Sequence, residues 1–113
     1  MSKRDYNLFL QDILDCIKRI EKYTKGYTQK RFEENEMVAD AVVRNLEIIG
    51  EAAKNIPTDL RKKSPDIPWK KIIGFRNIVI HDYFRVDLGN TWIIIKEQLT
   101  GLKKQINALI KQL

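Results

Sequence analysis

The sequence has little of what holds a metalloprotein or a disulfide-stapled domain together. One cysteine, Cys16, and one histidine, His81, stand among 113 residues. A lone thiol cannot close an internal disulfide, and no Cys/His cluster falls at metal-ligand spacing, so structural zinc is set aside and no metal or cofactor is expected. Cys16 lies in an amphipathic stretch and reads as a small buried hydrophobe, not a nucleophile. Glycine and proline are also scarce, at 5 and 3 residues, which excludes low-complexity and collagen-like chains and suits a helical globular protein. Long apolar runs are missing. Ile78-Val79-Ile80 and Trp92-Ile93-Ile94-Ile95 are far shorter than the roughly 20 residues a helix needs to span a bilayer. The first residues carry charge where a signal peptide would be apolar, so a cytoplasmic chain without membrane contact is expected.

What the sequence does have is an ordinary balance of apolar residues, 43%, and charged residues, 32%. The length suits one core, and residues 1–113 are expected to form a single domain. Lysine and arginine total 21 against 15 aspartate and glutamate, a formal charge of +6. Such a surplus attracts polyanions and speeds their encounter, although a charge run is more often a solvated face than a binding surface.

Apolar residues recur at helical spacing along most of the chain. In residues 5–23, Tyr6, Phe9, Leu10, Ile13, Ile17 and Ile20 share one face, and Gly26 is placed to end that helix. Residues 34–56 repeat the pattern with Val38, Val42, Leu46, Ile49, Ala53 and Ile56 before Pro57 stops it. Within this helix Gly50, Ala52 and Ala53 form a patch of small side chains. It would let another helix approach closely, or serve as a dimer seam, against a propensity cost for glycine of roughly 1 kcal/mol. Residues 57–68 mix turn formers with exposed charge and read as a loop or a short helical turn. Arg61-Lys62-Lys63 within it suits an exposed connection better than an RNA contact. Pro68 opens a third helix carrying Trp69, Ile72, Ile73, Arg76 and Ile80. Asp87 is a candidate N-cap for a last helix through Trp92, Ile95, Leu99, Leu102, Ile106, Leu109, Ile110 and Leu113. No repeat or β-like alternation is present. An all-α, antiparallel bundle of four to five helices is expected.

The only histidine follows Arg76 by five residues, with Asn77 between. A lone histidine near a helix end is more often a cap or a dipole-stabilised surface group. Five helical residues turn through about 500°, leaving Arg76 and His81 about 140° apart, while Asn77 and His81 share a face. The pair is poor as an internal contact and well suited to a cleft at a helix end, where guanidinium and imidazole approach one phosphate from different sides. Cleaving RNA without metal requires a group to take the 2′-hydroxyl proton, a group to protonate the leaving 5′-oxygen, and positive charge on the phosphorane. Imidazole moves protons near neutrality, typically for a gain of ~10²–10⁴-fold. Guanidinium stays charged and donates two hydrogen bonds to phosphate oxygens. Asn77 is placed to orient phosphate or imidazole. One chain offers one histidine for two proton transfers, which favours a homodimer with a shared cleft.

The run Arg76-Asn77-Ile78-Val79-Ile80-His81-Asp82-Tyr83 resembles the R-polar-x-x-x-H signature of HEPN ribonucleases, extended to the R-x4-H-x-Y motif of HepT toxins. Arg44-Asn45-Leu46-Glu47-Ile48-Ile49-Gly50-Glu51-Ala52 and Trp69-Lys70-Lys71-Ile72-Ile73-Gly74-Phe75-Arg76-Asn77 resemble two further segments of that family, in the same order. The resemblance implies a HEPN fold and a homodimeric, metal-independent endoribonuclease acting as the toxin of a toxin–antitoxin pair. Arg76, His81 and Asn77 would be catalytic. It also implies a minimal nucleotidyltransferase partner that binds the toxin and transfers AMP to the motif tyrosine, here Tyr83. Adenylate beside His81 would place bulk and negative charge where substrate phosphate should sit. Glu51 matches the family's acidic residue and would support the site, although a packed or solvated carboxylate is the plainer reading. Phe75 and Phe84 read as core residues, not base-stacking platforms. Two rivals remain: a non-catalytic HEPN module that docks a nucleotidyltransferase, and a helical nucleic-acid-binding protein without catalysis.

Overall fold

The first helix, α1 (Lys3–Thr24), starts at a capping box in which the Ser2 hydroxyl accepts from the Asp5 amide while the Asp5 carboxylate accepts from the Ser2 amide. This reciprocal pair satisfies two of the donors a helix start leaves orphaned. The structure is a computed structural model that describes residues 2–113. Leu10, Ile13, Ile17 and Ile20, spaced by three and four, are buried on one face of α1. Each such side chain contributes about 1.5–3 kcal/mol by leaving water. Gly26 follows in the left-handed region, at φ 77, and turns the chain.

The segment expected to be linker holds a short helix, α2 (Gln29–Glu34), capped by Thr28 and anchored by Phe32, which is wholly buried. Asn35 ends α2 and caps α3 (Glu36–Lys54), its side chain accepting from the Val38 amide at 3.1 Å. The predicted continuous helix over 34–56 therefore begins two residues later, because Asn35 competes for the backbone donors that open a helix. A single turn, α4 (Thr58–Arg61), follows Pro57. The Arg61 guanidinium donates to the Ile56 and Lys54 carbonyls at 2.9 and 3.0 Å, closing the end of α3.

Helix α5 (Trp69–His81) begins after Pro68, with the Trp69 indole donating to the Ser64 carbonyl. Asp82 leaves the helical register at φ −154, and residues Tyr83–Arg85 form a 3₁₀ turn. Asp87 caps α6 (Leu88–Ile93) as expected, accepting from the Asn90 amide. The last helix is not regular: a wide π turn at Ile94–Gln98 separates α6 from α7 (Leu99–Lys111). Buried Thr91, Ile95 and Leu99 lie four apart twice in succession, which overshoots 3.6 residues per turn. The wide turn absorbs that drift and keeps all three inward.

Helix α3 is central, packed on α1 along one side and on α5 along the other, while α7 lies against α1. The α3–α5 pair is antiparallel: Gly50 meets Ile72 and Arg76, whereas Asp40 meets Tyr83 beyond the end of α5. The all-α expectation stands. Among the described residues no helix is long and apolar enough to cross a membrane.

Candidate functional site

The site is built where α5 packs against Gly50 of α3. A β-carbon on Gly50 would collide with the Arg76 β-carbon and lie 2.8 Å from the Ile72 carbonyl. The small-residue patch of α3 is thus an intramolecular contact at Gly50, resolving the choice between helix packing and a dimer seam at that residue. Missing bulk there lets the Arg76 backbone settle against α3. Its side chain is only 14% exposed, and Nε donates to Glu51 Oε2 at 2.7 Å. Nη1 donates to Asn77 Oδ1 at 2.8 Å. Three sequence-predicted residues, Glu51, Arg76 and Asn77, are therefore joined directly. Glu51 is half exposed, yet it is an orienting partner of the guanidinium and not merely a solvated carboxylate. A charge-assisted bond of this length fixes the fork's direction.

His81 is the last residue of α5, exposed, with no hydrogen bond or ion pair among the described residues. Its ring therefore does not cap the helix, and neither nitrogen is taken up by a hydrogen bond among the described residues. The structure brings neither His81 nor Tyr83 onto Arg76. Tyr83 instead points to α3, its hydroxyl donating to Asp40 Oδ1 at 3.0 Å. That bond, desolvation and the negative charges of Asp40 and Glu36 push the phenol above its ordinary value of 10.0.

Asp40 was not singled out from sequence, although a signal was present. Asp40, Arg44, Glu47 and Glu51 step by four, three and four, a polar stripe along one face of α3. Arg44 and Glu47 close an ion pair at 3.0 Å within it. The stripe's ends hold Tyr83 and Arg76, and Asp40 and Glu51 are about 16 Å apart along the axis at 1.5 Å per residue. His81 falls between Arg76 and Tyr83 in sequence.

Phe84 corrects an expectation. Its helical spacing predicts a core residue, but it is 99% exposed, because Asp82 breaks the helix and the extrapolated face no longer applies. Phe75, still inside α5, packs against the core as expected. Phe84, Tyr83, Val86 and Leu88 line a cavity of about 470 Å³ with Glu33, Glu34, Glu36, Ala39 and Asp40. A second, largely apolar groove of about 490 Å³ runs between α5 and the last helix, walled by Ile72, Phe75, Ile78, Ile94 and Leu102 among others. Among the described residues no group of three or more His, Cys, Asp or Glu is arranged to hold a metal ion. Arg61, occupied with the end of α3, is a structural cation, while Lys62 and Lys63 are exposed.

The helical bundle thus presents an oriented arginine and an exposed histidine on one helix, and comparison with known proteins places the chain in a family. The family described as "Ribonuclease HepT-like" matches residues 13–109. The chain belongs to this HepT-like ribonuclease family, and its all-α architecture is consistent with the HEPN fold. A relative from Methanocaldococcus jannaschii, named as a candidate RNase, is 45% identical over 106 residues, covering 94% of this chain and 97% of the relative. One from Thermococcus cleftensis, bearing the name "Probable ribonuclease HepT", is 39% identical over 109 residues, covering 96% and 99%. A Caldanaerobacter subterraneus relative, also named as a candidate RNase, is 36% identical over 104 residues, covering 92% and 93%. No solved structure matches the chain.

Proposed function

We propose that this chain is a metal-independent endoribonuclease, the toxin of a toxin–antitoxin pair, acting as a homodimer with Arg76, His81 and Asn77 in its catalytic centre. The observation that carries this reading is the arginine held by Glu51 and Asn77 on the helix whose last residue is an exposed histidine. The 2′-hydroxyl oxygen attacks phosphorus, His81 takes its proton, and the bond to the 5′-oxygen breaks. The partner subunit's His81 protonates that leaving oxygen. Arg76 holds the non-bridging oxygens, where charge rises in the phosphorane, and a preorganised guanidinium stabilises it without reorganising. The products are a 2′,3′-cyclic phosphate and a 5′-hydroxyl. Names of the relatives support RNA as substrate.

The dimer is supported by stoichiometry, one histidine per chain for two proton transfers, and by the apolar groove beside α5 that a second copy would cover. Control falls to a minimal nucleotidyltransferase that binds the toxin and adenylylates Tyr83. An exposed Phe84 and an acidic cavity around that tyrosine favour protein docking over RNA on this side. The same cavity favours the rival, a docking module without catalysis.

Incubating the protein with RNA in EDTA separates the two. Cleavage is expected from the wild type and is expected to fall by about 10²-fold or more in His81→Ala, the loss typical of removing a proton-transfer group. Equal cleavage by wild type and variant, or none by either, refutes the enzyme reading.

A further inference from the structure

We propose that Asp40 is the general base that accepts the Tyr83 proton when the phenolic oxygen is adenylylated, a role resting on the reading of Tyr83 as acceptor. Contact is already made, with the hydroxyl 3.0 Å from Oδ1. The two residues come from different elements, 43 positions apart in the chain. Asp40 belongs to α3, the central helix packed on both sides, whereas Tyr83 lies in a short turn after α5. The base is thus fixed by the scaffold, and the half-exposed phenol is reachable from the cavity.

Chemistry makes a base necessary. The surroundings hold the phenol above its ordinary value, so free tyrosinate is scarcer at neutral pH than on an unperturbed side chain. The proton must leave as the new bond forms, to a group already touching the oxygen. In the step, the Tyr83 oxygen bonds to the α-phosphorus of a nucleoside triphosphate. The bond from that phosphorus to the pyrophosphate oxygen breaks, pyrophosphate leaves with the electron pair, and the proton passes to Asp40. The triphosphate and its divalent cation are supplied by the nucleotidyltransferase. Glu33, Glu34 and Glu36 join Asp40 in the cavity wall and repel an unescorted polyanion. Nucleotide therefore reaches Tyr83 only with the cation and basic groups of that enzyme.

The test uses the full chain, Mg-ATP and a purified minimal nucleotidyltransferase of a HepT system, with transfer followed by intact mass across pH. Asp40→Asn keeps an oxygen that accepts the hydroxyl's hydrogen bond but cannot take its proton. Transfer to D40N is expected to be roughly 10²–10⁴-fold slower near neutrality, the usual worth of a general base. The deficit should narrow as pH approaches the phenol's own ionisation. Wild-type rates in D40N, or a deficit constant with pH, would overturn the assignment, the latter indicating a packing role. Persistence of AMP on Tyr83→Phe, or no transfer to wild type, refutes the acceptor reading and with it the transfer step. The base itself is probed without any partner by an arylsulfonyl fluoride, which labels phenolic oxygens. Faster labelling of Tyr83 in wild type than in D40N supports the base, and equal labelling sinks it.

Discussion

Arg76 and Tyr83 are both held by carboxylates of α3, with opposite chemical consequences. Glu51 fixes a group that is always charged, so the bond aims it; Asp40 fixes a group that is neutral at ordinary pH, so the bond keeps it neutral. Because the folded-state value of Tyr83 is raised above its unfolded one, the stability contributed is fully present below pH 10 and is lost as pH rises through the folded value. Tyrosinate absorbance in an alkaline titration is expected to contain a late component from Tyr83 that vanishes in Y83F. A titration in which Y83F and wild type lose the same late component would contradict this. Cys16 offers a second residue-scale prediction. Burial is the chief cause pushing its thiol up, partly opposed by Arg19, and a buried neutral thiol is a poor nucleophile. A disulfide reagent is expected to leave it unmodified in the native protein and to label it in denaturant; rapid native labelling would show the first helix to be looser than its packing implies.

The pairing of α3 with α5 decides where the arginine points. Gly50→Ala would push the helices apart or force Arg76 to move, and overpacking of this kind costs about 1–3 kcal/mol. Denaturant midpoints for G50A should therefore fall together with RNA cleavage. Glu51→Ala separates aim from stability, since its side chain is half exposed and its removal leaves no cavity. A misaimed catalytic group can cost up to about 10²-fold, so E51A is expected to reduce kcat with an unchanged melting temperature. An unchanged kcat would reduce the Glu51 bond to a surface ion pair. The long helices were legible from the sequence because apolar residues at steps of three and four leave one stripe to bury, as in Leu10, Ile13, Ile17 and Ile20. Three features were not. Thr28 and Phe32 make α2 from a cap and a single buried ring, too short for a periodic signal. Asp82 ends α5 through its backbone angles, which side-chain spacing cannot report, and so Phe84 lies outside the core. The π turn answers a drift of the buried stripe that accumulates only over several turns. For the site, Arg76 and Asn77 were legible by motif resemblance, Glu51 only as a supporting residue more plainly read as a solvated carboxylate, and Asp40 stayed hidden because its partner lies 43 residues away.

At the scale of the molecule, a net positive charge coexists with a locally acidic cavity. A surplus of six positive charges favours RNA encounter, yet the cavity around Tyr83 collects four carboxylates. On the proposed function, RNA approaches the Arg76–His81 side and a protein partner approaches the acidic one. Sedimentation should give twice the monomer mass, and a charged substitution in the α5 groove, such as Ile78→Lys, should halve it. A monomeric wild type that still cleaves would refute the shared cleft. On the proposed function Arg76 and His81 cut RNA by internal attack of the 2′-hydroxyl, and the chemistry of the product ends tests this most directly. Wild type in EDTA is predicted to leave 2′,3′-cyclic phosphate and 5′-hydroxyl ends, formed more slowly by about 10²-fold or more in His81→Ala, and more slowly also in Arg76→Ala. Intact RNA, or fragments ending in 3′-hydroxyl and 5′-phosphate, would contradict it.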